Sequence, residues 1–285
     1  MRIAPDVGPA ERAGPTPPAE AQRLLVEARD LQKRFATYHA VRGVSFNCYA
    51  GEVFGLLGPN GAGKTTTIRM LTTILRPTSG RARVAGHDVV REPELVRRSI
   101  GVLPENAGVY GRLTAREAIR YAGRLYALPA DALERRIVEI ADALELTQHL
   151  DRLTDTFSKG MKQKVNVARA LIHDPAVVFL DEPTSGLDVI SARSVRDFVL
   201  RFKAEGRCVI LSTHVMEEAE RLCDRVAIIA GGRIRAEGGL DQLIVLPAIA
   251  AEPGGFCALH EVDTLGELGL VRGVVQQCQI VVHQP

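Results

Sequence analysis

A glycine-rich loop constrains this chain more than any other feature. Gly58-Pro59-Asn60-Gly61-Ala62-Gly63-Lys64-Thr65 follows the short apolar run Gly55-Leu56-Leu57 and precedes a helical pattern through Leu75. That is the strand, loop and helix context in which the pattern G-x-x-x-x-G-K-[ST] wraps phosphate. Glycines let the backbone turn several N–H groups inward onto phosphate oxygens, at the positive end of the following helix. Lys64 is then expected to reach β- and γ-phosphates, and Thr65 to hold magnesium. The bland alternative is a flexible surface loop, a composition that seldom produces this pattern by chance.

Phosphate transfer needs a second anchor, and the apolar run Val177-Val178-Phe179-Leu180 ends in Asp181-Glu182. Asp181 at a strand end can orient magnesium and its waters. Glu182 can sit beside the γ-phosphate and accept a proton from, or orient, the attacking water. Alone, an acidic pair reads as a surface helix cap. The buried-strand context and the upstream loop reverse that reading.

The rest of the chain organises around these two anchors. Strand-like runs fill Leu24 to Ala50, including Val41 to Tyr49 before the turn Ala50-Gly51. Thr114-Ala115-Arg116-Glu117 has the form of a capping box, with Ile119, Ala122 and Leu125 or Tyr126 at helical spacing behind it. Asp131 can cap a further helix whose Leu133, Ile137, Ile140 and Leu144 mark one face. A mainly helical insert over about 105–170 is therefore expected between strand-rich portions. Val177 to Leu180 and Val209-Ile210-Leu211 are continuous apolar runs, each followed by a helical stretch, as in a parallel sheet buried on both faces. Val226 to Ala230, Gly231-Gly232 and Arg233 to Ala236 suggest a closing hairpin. The fold class is α/β.

Both ends read differently. Residues 1–22 hold Pro5, Pro9, Pro15, Pro17 and Pro18 among small residues and are expected to form a disordered arm. Residues 241–285 form an extension with weak patterning, broken by Pro247, Pro253 and Gly254-Gly255, and carry no functional reading. The run Leu243 to Ala251 is too short to cross a bilayer, and the N-terminus lacks a secretory pattern. Five scattered cysteines imply a reduced compartment with neither disulfide framework nor zinc site. A formal charge of +2 offers no large electrostatic footprint for nucleic acid.

Further motifs carry a resemblance. Phe157-Ser158-Lys159-Gly160-Met161-Lys162-Gln163 resembles the L-S-G-G-Q segment of ABC-transporter ATPases. Thr184-Ser185-Gly186-Leu187-Asp188 is similar to their D-loop, and His214 matches their switch histidine. The resemblance covers about residues 24–240. It implies an ABC cassette of the P-loop NTPase class: a parallel-sheet core, an N-terminal antiparallel β portion and an inserted helical subdomain, over 23–240.

The resemblance also assigns roles. Gly58, Pro59, Asn60, Gly61, Ala62, Gly63, Lys64, Thr65 and Thr66 would hold ATP, with Phe35 stacking on adenine and Tyr38 as the fallback. Thr65, Asp181 and Glu105 would face Mg2+, Glu105 standing where the family usually has glutamine. Glu182 and His214 would be catalytic. Ser158, Lys159, Gly160 and Asp188 would meet the ATP held by a second ATP-binding subunit, so that ATP closes a head-to-tail dimer, a homodimer being expected. Lys159 stands in place of a glycine and Met161 in place of a glutamine. The Lys159 and Glu105 variants, with the run Phe157 to Asp188, look most like ATP-binding subunits of sodium-efflux (NatA-type) and related drug-efflux ABC exporters. Such a subunit would work at the cytoplasmic face of the cell membrane through a separate permease.

Two other readings compete. A soluble ABC ATPase acting on ribosomes or DNA is disfavoured by the single phosphate loop and the absence of a long coiled coil. A small-molecule P-loop kinase would leave the Phe157 to Gln163 segment without meaning.

Overall fold

A computed structural model gives the fold, and it describes residues 23–239. The expected N-terminal arm and the extension from 241 onward lie outside the described residues. The chain first forms two long strands, β1 (Leu24–Phe35) and β2 (Tyr38–Tyr49), where the sequence pattern suggested several short ones. Bulges absorb that length: the pairing of β1 with β2 shifts register around Ala28 to Gln32, where Asp30 takes a left-handed φ of 47°. After β3 (Val53–Leu57) and α1 (Lys64–Leu71) come β4 (Ser79–Val84), β5 (His87–Asp88), α2 (Pro93–Ser99) and β6 (Ile100–Leu103). Strands β2, β1, β4 and β5 form one antiparallel sheet in that order.

Helices α3 (Ala115–Leu125), α4 (Ala130–Ala143) and α5 (Lys159–Leu171) fill the middle of the chain. The helix α3 opens on the capping box its sequence suggested: Glu117 N–H donates to Thr114 Oγ1 at 3.2 Å, and Thr114 N–H donates to Glu117 Oε2 at 2.8 Å. Such a cap stabilises a helix by about 1 kcal/mol. The expected cap at Asp131 is corrected. Helix α4 already begins at Ala130 behind Pro129, so Asp131 lies within its first turn, where a carboxylate still complements the helix dipole.

The rest alternates strand and helix: β7 (Val177–Asp181), α6 (Val189–Ala204), β8 (Cys208–Thr213), α7 (Met216–Leu222), then the hairpin β9 (Arg225–Ala230) and β10 (Arg233–Gly239). A second sheet has the order β10-β9-β3-β8-β7-β6, parallel except for the β9/β10 hairpin. Every residue of β3, β7 and β8 is buried. Alternation explains how: Val178 and Leu180 pack among Ile119, Leu133, Ile137 and Val165 of the helical layer, while Val177 and Phe179 pack with Ile68, Met70 and Leu71 of α1 and with the antiparallel sheet. The parallel sheet is therefore sandwiched between these two layers.

Candidate functional site

Four neighbouring parallel strands, β3, β8, β7 and β6, lie side by side, and each hands a sequence-predicted residue to the same edge. The loop after β3 holds Gly58 to Thr65, β8 is followed by His214, β7 ends in Asp181 with Glu182 next, and β6 is followed by Pro104-Glu105. Carboxyl ends of parallel strands are where α/β sheets place their ligands. A cleft of roughly 170 Å³ opens there, lined by Tyr38, Ala40, the loop residues Pro59 to Thr66, Glu105 and Glu182.

The loop is fixed from both sides. Gly63 sits at φ 108°, and a Cβ there would stand 2.8 Å from the Ala40 carbonyl oxygen, so glycine alone fits. Gly232 N–H, in the β9/β10 turn, donates to the Ala62 carbonyl at 3.0 Å, and Gly58 N–H donates to the Thr213 carbonyl at 3.3 Å. Helix α1 starts at Lys64, which aims its free N-terminal amides and dipole into the cleft. That helix ends at Leu71, short of the Leu75 its pattern suggested; Thr73 turns to φ 64° and breaks it.

The charged groups form a compact set. The Lys64 ammonium is buried and donates to the Gly58 carbonyl at 2.6 Å, and it lies 3.5 Å from Glu182 Oε1. Thr65 Oγ1 donates to Asp181 Oδ1 at 3.2 Å, and Ser212 Oγ donates to the same carboxylate. Glu182 is only 8% exposed, yet its Oε1 accepts no hydrogen bond. Its Oε2 accepts from His214 Nδ1 at 2.9 Å. The Glu182 backbone is left-handed, at φ 50°, a strained conformation for a residue with a Cβ, of the kind stored at functional sites. A hydroxyl beside a carboxylate suits a hard divalent cation that keeps waters and phosphate oxygens as its other ligands. Thr65 and Asp181 are thus a fitting pair for Mg2+; Glu105 lines the same cleft from the side.

The structure separates the two candidate aromatics. Phe35 is 42% exposed, under the Lys33 ammonium, which stands 5.1 Å from its ring centroid, and it does not line the cleft. Tyr38, across the same hairpin, does line it, with its hydroxyl 3.4 Å from the Gly61 carbonyl it donates to. Hairpin spacing alone could not separate the two.

Ser158, Lys159, Gly160 and Asp188 cluster together, but away from the cleft. Ser158 caps α5 by accepting from Met161 N–H at 3.2 Å. Asp188 caps α6, its carboxylate accepting from Ser191 N–H at 2.9 Å and from Ser191 Oγ at 2.7 Å. The Ser191 hydroxyl and then its N–H hold that carboxyl below the usual aspartate range. Gly160 packs directly on Ser191, and the Lys159 side chain lies across Gly186. Met161 turns inward, packing on the helical layer. Gln163 Nε2 donates to the Pro183 carbonyl at 2.9 Å, tying α5 to the turn that carries Glu182. A residue missed by sequence reasoning is Glu218, buried beside this turn; its only sequence signal was position in α7, where it resembles an ordinary helix-face glutamate.

The sequence model of the ABC transporter family matches residues 41–185. The ABC transporter ATP-binding protein NatA of Bacillus subtilis (strain 168) is 42% identical over 217 residues, 76% of this chain and 88% of that protein. The daunorubicin/doxorubicin resistance ATP-binding protein DrrA of Streptomyces peucetius is 44% identical over 218 residues, 76% of this chain and 66% of that protein. A solved structure of an ATP-binding subunit of an ABC transporter superposes with a TM-score of 0.71 at 35% identity, covering 77% of this chain and 91% of that one.

Proposed function

This chain belongs to the ABC transporter family as an ATP-binding, ATP-hydrolysing subunit that energises a separate permease, and on that premise we propose how its residues carry the reaction and what it serves. The observation that carries the proposal is the convergence on one cleft of the Gly58–Thr65 loop, the Thr65–Asp181 pair at 3.2 Å and the Glu182–His214 pair at 2.9 Å.

ATP enters with its phosphates on the α1 N-terminus and its base toward Tyr38. Lys64, freed from the Gly58 carbonyl, turns to the β- and γ-phosphates. Bound Mg2+, held through Thr65 and Asp181, would neutralise phosphate charge. Once Lys64 engages phosphate, Glu182 loses its nearest cation and keeps His214. Its bare Oε1 is then the acceptor that orients the attacking water and takes its proton. His214 holds the other oxygen and fixes the carboxylate's direction. Within one chain nothing from Ser158 to Gly160 reaches this cleft. These residues and Asp188 are suited to close over ATP held by a second subunit, the free amides at the α5 N-terminus facing the γ-phosphate.

The permease partner sits in the membrane and this subunit at its cytoplasmic face; among the described residues no helix is long and apolar enough to cross a bilayer. The direction is export, of sodium or a drug-like solute, by the resemblance of the Phe157 to Asp188 run. Residues 23–240 act as the ATP-binding unit, with helices between 105 and 170 as its permease-facing part. The test is to tag the full chain as Glu182→Gln, hold it with MgATP and identify what co-purifies from detergent-solubilised membranes. A stoichiometric polytopic membrane protein supports the proposal; ribosomal proteins without a membrane partner overturn it.

A further inference from the structure

Glu218, in the first turn of α7, is 7% exposed and, among the described residues, meets no basic side chain within ion-pair distance. Both its oxygens are nevertheless used. Thr184 Oγ1 donates to Oε1 at 2.5 Å and Thr213 Oγ1 donates to Oε2 at 2.7 Å. Burying a carboxylate without a cation is costly, and an apolar side chain would fill the same space at lower cost, so packing alone does not account for it.

What the carboxylate joins is specific. Thr184 stands two residues after Glu182 in the turn leaving β7, where Ser185 N–H donates to the Glu182 carbonyl at 3.2 Å. Thr213 immediately precedes His214 at the end of β8; its Oγ1 also accepts from Val215 N–H at 3.1 Å, and its carbonyl receives Gly58 N–H. One carboxylate therefore bridges the turn that aims Glu182 and the strand end that aims His214, with the first glycine of the phosphate loop one bond further on. We propose that Glu218 is a positioning residue that sets the distance between Glu182 and His214, an inference that rests on reading those two as the hydrolytic pair. It touches no substrate; it acts through the two threonines.

The test measures ATP hydrolysis by the full chain, with kcat expressed per bound nucleotide. Glu218→Ala should lower kcat about tenfold or more while KM for ATP stays within about twofold, since the phosphate loop is untouched. The double variant Thr184→Val/Thr213→Val should reproduce that loss. Glu218→Gln keeps one oxygen acceptor and gains an N–H that the other threonine oxygen can accept, so it should hold kcat within about threefold of the parent. Should the alanine variant fail to fold, the glutamine and double-valine variants carry the comparison alone. A kcat within about twofold of the parent in Glu218→Ala or in the double-valine protein, or a glutamine variant no better than alanine, overturns the inference. Glu182→Gln is assayed beside them: if it retains turnover, the hydrolytic pair itself is misread, whatever the Glu218 variants do.

Discussion

Replacing Gly160 with alanine should destabilise the protein, against the ordinary preference of a helix. Gly160 sits in the first turn of α5 without a left-handed φ, so alanine would normally add up to about 0.5–1 kcal/mol of stability. Here its Cβ would stand 1.9 Å from Ser191 Oγ and 2.5 Å from Ser191 Cβ. Rotating the serine relieves the first contact but not the second, so α5 and α6 must move apart or the Asp188 cap must open. Contacts this short place the cost in the upper part of the usual overpacking range, at about 2–3 kcal/mol, leaving a net loss of about 1–2 kcal/mol after a propensity gain of up to about 1 kcal/mol. For a domain of this size that lowers Tm by about 2–8 °C. Ser191→Gly removes both offending atoms, so the double variant should be less destabilised than the two single changes added together, by about 1 kcal/mol. Thermal and urea unfolding of the four proteins measure this. A Gly160→Ala protein as stable as the parent, or strict additivity, would refute the packing argument.

Nucleotide binding should discriminate the two hairpin aromatics: Tyr38→Ala should weaken ATP affinity by about 1–2 kcal/mol and Phe35→Ala hardly at all, by calorimetric titration, with the opposite order returning the stacking role to Phe35. Lys159→Gly should leave the isolated subunit's stability within about 1 kcal/mol and weaken ATP-dependent dimerisation in sedimentation measurements, because the lysine lies over Gly186 at the face proposed to meet the second subunit. Unaltered dimerisation reduces it to surface charge. Burial pushes the Cys223 thiol up to about 12, so it stays protonated in the fold where an unfolded cysteine would ionise near pH 9. Iodoacetamide at pH 9 should therefore modify the partly buried Cys223 much more slowly in the native protein than after denaturation, read by peptide mass mapping; equal rates in the two states would contradict that shift.

The residues that converge on the cleft were largely legible in the sequence because they rest on local necessities. A loop that wraps phosphate needs its glycines in fixed places, and a strand buried on both faces must read as an unbroken apolar run, as Val177 to Leu180 does. The capping box at Thr114 and the hairpin around Gly231-Gly232 are local in the same sense, and both appear in the fold. Less legible were features decided by distant partners. The long paired strands β1 and β2 depend on bulges that no alternation reveals. Strands β4 and β6 have little pattern of their own; β4 buries only Ala82 and Val84, and β6 has only four residues. Whether Phe35 or Tyr38 faces the cleft is set by the hairpin's twist over the phosphate loop. Glu218 shows nothing in sequence, because its meaning lies in two threonines, 34 and five positions away, brought together by adjacent strands β7 and β8.

The central claim is that this cleft hydrolyses ATP with Glu182 acting on the water. Its most direct test compares the full-length parent with Glu182→Gln for MgATP affinity and for steady-state phosphate release. The account predicts ATP affinity within about threefold of the parent and turnover reduced by about 100-fold or more, because the amide cannot take the water's proton. Turnover unchanged by the substitution would contradict it.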